Sequence, residues 1–516
     1  MSVVMNVINY ILGLGPSVMM PIIIFILCMV FRMPFGRSVR AAILIGIGFV
    51  AINLVIGLLT QTLGPAAKAM VDNIGIHLNV LDVGWPVAAA ISFGTVSVVP
   101  WVFVLGIALN LVLIVLRFTK TLDVDMWNYW HFIFTAAFVY VITGSLLIAL
   151  GLALITELLV LKLADIAAPI VQDYYGLPGI SLPHTETISW TPVGWSLNKV
   201  LDRIPGINRL HADPGTIQER FGVVGEPMII GTVLGGIIGV LAYYPGFATG
   251  FGTAFGKILV TAITLGAVML VLPRMVAILM EGLVPLSEGA QAFISRRFPG
   301  RDLYIGLDAA IVVGFANNMT VALIMVPITL VLAIILSFIG LNHMLPFTDL
   351  AVLPFLVIWA NTWSRGNIVR GVIIATIFMA GILSIGTFLA PMTTTLAHGA
   401  HFSIPKNTLQ ISSLDSGSHL VPFLLVFGFA VKQIGSYGSG FLIWSAAWVV
   451  FSLVCYIAYF AYVARGHVPG MDDKALYVSA EATEAIPAEM GAEVFADVQS
   501  DGGSSRGVGG AAGAAG

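Results

Sequence analysis

The sequence predicts an all-α polytopic membrane protein. Three observations carry this. Charged residues make up 9% of the 516 positions, against about 25% in soluble proteins. Hydrophobic residues make up 58%, and the mean hydropathy is +1.00. Apolar runs of roughly 20 residues, the length of a spanning helix, recur along the chain. The 23 Lys and Arg and 26 Asp and Glu are too few to solvate a globule of this length. A soluble enzyme is excluded. So is a nucleic-acid binder, which needs a basic face.

Runs long enough to span fall near 8–31, 39–63, 97–116, 132–160, 224–244, 258–280, 319–340, 368–390 and 441–464. Shorter apolar pieces lie near 86–95, 180–197, 303–316, 350–363 and 419–431, broken by Gly, Pro or polar residues. Their length suits re-entrant hairpins or half-helices rather than full crossings. The first run is followed by Arg32, Arg37 and Arg40 and reads as a span, not a cleavable leader.

Positive charge assigns the sides. Arg32, Arg37 and Arg40, then Arg117 and Lys120, then Arg296, Arg297 and Arg301 mark internal connections, and Arg465 places the C-terminus inside. With the N-terminus outside, the number of crossings is odd, and about 11 transmembrane helices are expected. The long connection 161–222 is rich in proline, yet it holds the apolar stretch Gly179–Thr185. Part of it is expected to dip back into the protein. Residues 466–516 carry an acidic, Ala/Gly-rich segment with few apolar anchors, which predicts a disordered tail. Cys28 and Cys455 lie in apolar runs, too few for a disulfide framework.

Two motifs recur in order. Gly36-Arg37-Ser38-Val39-Arg40 matches Gly366-Asn367-Ile368-Val369-Arg370, and Leu81-Asp82-Val83-Gly84 matches Leu414-Asp415-Ser416-Gly417. They suggest two related halves, near 8–160 and 303–464, with a connecting region 161–302. Repeated halves with a site between broken helices are a transporter pattern. Whether the halves are parallel or inverted stays open.

Ionisable residues at membrane depth are costly and therefore candidates for function. They are Asp82, His131, His184, Glu186, Glu226, Asp308 and Asp415. Asp82 and Trp85 open a broken segment through Gly84 and Pro86, where a carboxylate and an indole face suit hydroxyls and C–H groups; a cap and an interfacial anchor are the competing roles. Glu226 precedes Pro227 at a helix start, a position a carboxylate also takes for the dipole alone. Asp308 opens another short piece ahead of Asn317-Asn318, and an unpaired amide pair is expensive in lipid. His131 follows the aromatic run Trp127–Trp130, and His184 lies in the long connection. His398 and His401 lack a third ligand nearby, so no metal site is expected. No phosphate-binding loop, nucleophile constellation or dinucleotide loop is present, so no cofactor is expected and an integral membrane enzyme is disfavoured.

The segments Gly46–Val50, Gly64–Met70, Asp82-Val83-Gly84-Trp85-Pro86, Ile204–Arg209, Gly225-Glu226-Pro227 and Ile305-Gly306-Leu307-Asp308 together resemble the galactitol-specific IIC components of the bacterial phosphoenolpyruvate-dependent sugar phosphotransferase system, in the ascorbate–galactitol carrier superfamily. The resemblance covers about 8–465. It implies a multi-pass inner-membrane carrier of galactitol or a similar polyol, with a core and a scaffold domain, forming a homodimer. It implies that IIA and IIB partners supply the phosphoryl chemistry, and that Asp82, Trp85, His131, His184, Glu226 and Asp308 face the substrate. The alternative is an ion-gradient-driven transporter for a polyol or small organic acid, with Asp82, Asp308 and Asp415 as ion sites.

Overall fold

The computed structural model describes residues 16–74, 80–93, 95, 97–125, 128–207, 227–297, 303–346, 349–399 and 410–472. Of the acidic tail expected over 466–516, residues 473–516 lie outside the described residues, and so does Glu226. The chain is mostly helical. Among the described residues, five helices are long and apolar enough to cross a membrane: Leu146–Tyr175, Gly231–Val268, Asn317–Phe338, Ile368–Gly399 and Gly438–Ala464. Shorter apolar helices span Val99–Val115, Tyr129–Thr143 and Leu420–Ala430.

Helices Pro16–Val30, Phe35–Ile74, Pro227–Tyr243 and Phe247–Arg297 pack mainly on one another. Glycine permits the closest crossing. A Cβ on Gly235 would sit 2.6 Å from the Thr261 carbonyl oxygen, and one on Gly239 would sit 3.0 Å from Ile258 Cα. The Gly235-x-x-x-Gly239 spacing presents both to the same partner, as small residues do where membrane helices approach.

The run near 132–160, expected as one span, is two helices. Thr143-Gly144-Ser145 divides it. Gly144 adopts the left-handed conformation at φ 66° and donates its N–H to Tyr140 O, and Ser145 caps the next helix through Ile148 N. A Gly stop followed by a Ser start is a strong local signal, masked here by the continuous hydropathy. The next helix then runs on to Tyr175, into the stretch read as a connection, and Gly176 closes it at φ 67°. The apolar piece beyond it folds inward, with Leu182, His184, Glu186, Ile188 and Trp190 all buried.

The short pieces are short helices: Trp85–Phe93, Thr185–Ile188 with Thr191–Leu201, Ala310–Val313, Leu353–Leu356 with Ile358–Ser364, and Leu420–Ala430. Most follow strands that an all-α reading omits. The strands are β1 (Val80–Asp82), β2 (Thr121–Asp123), β3 (Ile180–Ser181), β4 (Tyr304–Gly306), β5 (Met344–Leu345) and β6 (Gln410–Ser412). Two or three residues carry no readable alternation, which hides them in sequence.

The strands form two parallel three-stranded sheets, ordered β5-β1-β6 and β2-β4-β3. In the first, Val80 pairs with Met344 and Gln410, and Asp82 with Ser412. In the second, Ile305 pairs with Leu122 and Ile180. The central strand of each sheet thus comes from one part of the chain and both outer strands from the other. Both L-D-x-G motifs meet at the end of the β5-β1-β6 sheet.

Buried amides close the strand edges. Asn110 Nδ2 donates to Thr121 O at 2.9 Å, and Asp123 N donates to Asn110 Oδ1 at 3.0 Å. Asn342 does the same for β5, donating to Met344 O and accepting from Met344 N. Away from water, each such backbone group needs a partner.

Candidate functional site

A chain leaving a short strand places its next few side chains at the sheet end. Here those positions are ionisable in both sheets. In the first sheet β1 ends at Asp82, β5 leads to Asp349 and β6 to Asp415. In the second, β2 ends at Asp123 and leads to Asp125, β4 to Asp308, and β3 to His184 and Glu186.

Backbone N–H groups organise the first sheet end. Asp82 Oδ1 accepts from Gly84 N at 3.1 Å, and Oδ2 accepts from Asp349 N at 3.0 Å. Asp349 accepts in turn from Trp85 N at 2.8 Å and from Asp415 N at 3.2 Å. These bonds fix three chain segments against one another. Asp82 is buried and serves the backbone through both oxygens; Trp85 is partly buried at the head of its helix.

His184 joins the two ends. Its Nε2 lies 3.4 Å from Glu186 Oε2 and its Nδ1 3.3 Å from Asp308 Oδ1. Asp308 Oδ1 also accepts from Ala310 N at 2.9 Å, closing the turn that leads into the short helix behind it. Glu186 stands beside Asp415 of the other sheet. The His131 ring stacks on His184, with centroids 5.0 Å apart and planes 20° apart. His419 meets His131 edge-on at 4.6 Å and stacks on Phe134 at 4.7 Å. Its Nδ1 lies 3.0 Å from Asp415 O. Trp190 holds the neighbouring turn by donating Nε1 to Ser418 O at 2.7 Å.

Several polar atoms in this cluster are buried without a hydrogen-bond partner: both nitrogens of His131, Nε2 of His419, Oε1 of Glu186 and Oδ2 of Asp415. The close contacts of Glu186 and Asp308 both go to His184, and among the described residues no lysine or arginine pairs with Glu186, Asp308, Asp349 or Asp415. Unpaired buried polar atoms are costly. Their concentration marks the place where a hydrogen-bonding guest gains most.

The structure therefore brings together His131, His184 and Asp308, while Asp82 and the backbone of Trp85 bond to Asp349, which reaches that group only through Asp415 and Glu186. Sequence reasoning put Glu186 and Asp415 at membrane depth, chose Asp415 only as an ion site in the alternative reading, and passed over Asp349 and His419 as site residues. The signal it lacked was the strand: each of these residues follows one. The metal reading considered only His398 and His401. The structure instead gathers His131, His184 and Glu186, with one ligand atom of each within 4.8 Å of the others.

The model of the family described as PTS system sugar-specific permease component matches residues 10–407. A chain of Escherichia coli (strain K12) named as a permease IIC component is 37% identical over 433 residues, covering 83% of this chain and 94% of that protein. The PTS system galactitol-specific EIIC components of Escherichia coli (strain K12) and of Escherichia coli O157:H7 are each 35% identical over 444 residues, covering 86% of this chain and 94% of theirs. The matched span includes both sheets up to β5 and all six strand-end acids from Asp82 to Asp349. This chain belongs to the family of sugar-specific permease components of the PTS, multi-pass proteins of the inner membrane whose part is transport and not catalysis.

Proposed function

We propose that the chain binds galactitol or a similar polyol between the two sheet ends and carries it across the inner membrane, where a cytosolic IIB partner, itself charged by IIA, phosphorylates it. One observation carries the reading: unpartnered imidazole and carboxyl groups converge on one buried spot, with no lysine or arginine paired to them among the described residues. A polyol is neutral, needs no countercharge, and each hydroxyl both donates and accepts. Carboxylates accept from hydroxyls, and neutral imidazoles take either role. In this reading His131, His184 and Asp308 touch the polyol, joined by Glu186, Asp415 and His419. Trp85 offers a packing face, and Asp82 holds the segment that carries it. Glu226 keeps its proposed part as an acceptor.

The similarity to galactitol-specific components supports the substrate, and the large share of each relative covered supports a shared division of labour with IIA and IIB. The reading includes about 11 crossings, N-terminus outside, C-terminus inside, a core carrying both sheets, a scaffold of the four helices that pack together, and a homodimer. Uptake of labelled galactitol into vesicles, with and without phosphoenolpyruvate and the partner proteins, tests it. Phosphorylated product that requires the partners is expected. Accumulation of unmodified galactitol on a proton gradient alone would overturn it.

A further inference from the structure

We propose that His131, His184 and Glu186 form a binding site for one divalent transition-metal ion of the zinc class. The ion would use side chains that the proposed polyol site also uses, and zinc binding is measured with no polyol present, so the two readings fail separately.

The ligand types suit such an ion: two imidazoles and a carboxylate, the donor set of many zinc sites that keep a position open. Zinc–ligand bonds of about 2.0–2.2 Å place tetrahedral ligand atoms roughly 3.3–3.5 Å apart. The 3.4 Å between His184 Nε2 and Glu186 Oε2 already meets this. The His131 ligand atom lies within 4.8 Å of both, so side-chain movement of about 1–1.5 Å completes the arrangement.

The surroundings fit as well. A metal-bound histidine ordinarily hands its other ring nitrogen to a carboxylate or carbonyl, which fixes the ring. His184 has a carboxylate within reach for this, Asp308 Oδ1 lying 3.3 Å from Nδ1 with no hydrogen bond formed, while Nε2 faces Glu186. His131 is 1% exposed, and neither of its nitrogens has a partner. His419, 4.6 Å away ring to ring and with a free Nε2, stands next to the cluster as a further donor. Finally, the acids here meet no lysine or arginine among the described residues, so a cation entering this region displaces no basic side chain. An uncompensated carboxylate at membrane depth is costly.

The test uses the full chain purified in detergent, stripped with a chelator and titrated with zinc by calorimetry, with bound metal counted after dialysis. One zinc per chain is expected. His131→Ala and Glu186→Gln should lose it, while His398→Ala and His467→Ala, at exposed histidines, should keep it. Because a cavity at 131 could unfold the cluster, His131→Cys is loaded with cobalt. A thiolate–cobalt charge-transfer band in the near ultraviolet, from protein that still elutes as folded material, is expected. Failure to bind stoichiometric zinc, zinc that survives His131→Ala, or a folded His131→Cys protein without that band would each overturn the site.

Discussion

Asp82 and Asp349, 267 residues apart in sequence, hold each other's chain: Asp82 Oδ2 accepts the Asp349 N–H at 3.0 Å, and Asp349 Oδ1 accepts the Trp85 N–H at 2.8 Å, three residues past Asp82. The clasp joins the exits of β1 and β5, which are themselves paired. A third bond from Asp415 N brings in β6. One buried carboxylate therefore sets the mutual position of three strand exits. Asp349→Ala removes the acceptor of the buried Asp415 N–H and of the part-buried Trp85 N–H, at roughly 1–3 kcal/mol for a fully buried group. Thermal unfolding in detergent should show a clear loss of stability, and Asp349→Asn should fall between. A melting curve for Asp349→Ala matching the parent would contradict the clasp.

Asp308 separates structure from binding. In Asp308→Asn the amide oxygen still accepts from Ala310 N, but the charge facing His184 is gone. Charge-assisted hydrogen bonds contribute about 1.5–3 kcal/mol, so galactitol should bind roughly ten- to a hundredfold more weakly, with little change in melting. Equilibrium binding of labelled galactitol measures this. Unchanged affinity would remove Asp308 from the proposed site.

Gly306 is the tightest point of the second sheet. A Cβ there would lie 2.7 Å from Pro183 Cγ, 2.9 Å from Thr121 Cγ2 and 3.0 Å from Asp123 Cα. The rigid Pro183 ring and the Asp123 backbone both stand in the way, so a rotamer change at Thr121 alone does not relieve the clash. Gly306→Ala should push β2 and β3 off β4, displacing Asp125, His184 and Asp308 together. Lower yield of folded protein and loss of galactitol binding are expected. Normal folding and normal binding together would show that the sheet tolerates the methyl group.

Arg370 heads the helix Ile368–Gly399 and is buried, donating to Asn198 Oδ1 at 2.9 Å and Asp202 Oδ1 at 2.7 Å. It ties that helix to the one that leads away from His184. Removing one partner of a buried pair costs about 3–5 kcal/mol. Arg370→Ala should therefore be strongly destabilising, and Asp202→Ala less so, because Asn198 still accepts from Arg370. Equal melting temperatures for the two variants would argue against this ordering.

The proposed orientation predicts that single cysteines at positions 3 and 480, in a background lacking Cys28 and Cys455, react with an impermeant reagent from opposite sides of the membrane. Labelling of both from one side would refute an odd number of crossings.

Composition and hydropathy alone determined that lipid is the solvent, where most helices lie, and which pieces are too short to span. These properties are local: a run of apolar residues, a Gly or Pro that interrupts it, a few arginines at its ends. The sequence also contained the ionisable residues at membrane depth, because a charge stands out against an apolar background. Tertiary structure decided the rest. The division of 132–160 depends on two or three residues whose turn chemistry is outweighed by the hydropathy around them. The strands are too short to carry a pattern, and they exist only because distant segments supply their partners: Leu81 has no strand neighbour without Leu345 and Ile411. His131, His184 and His419 come from separate segments and meet only once both sheets have formed. Asp82 was legible as a buried acid, but its part in binding the Asp349 backbone was not, since the group it serves lies on a strand exit that folding alone brings within reach.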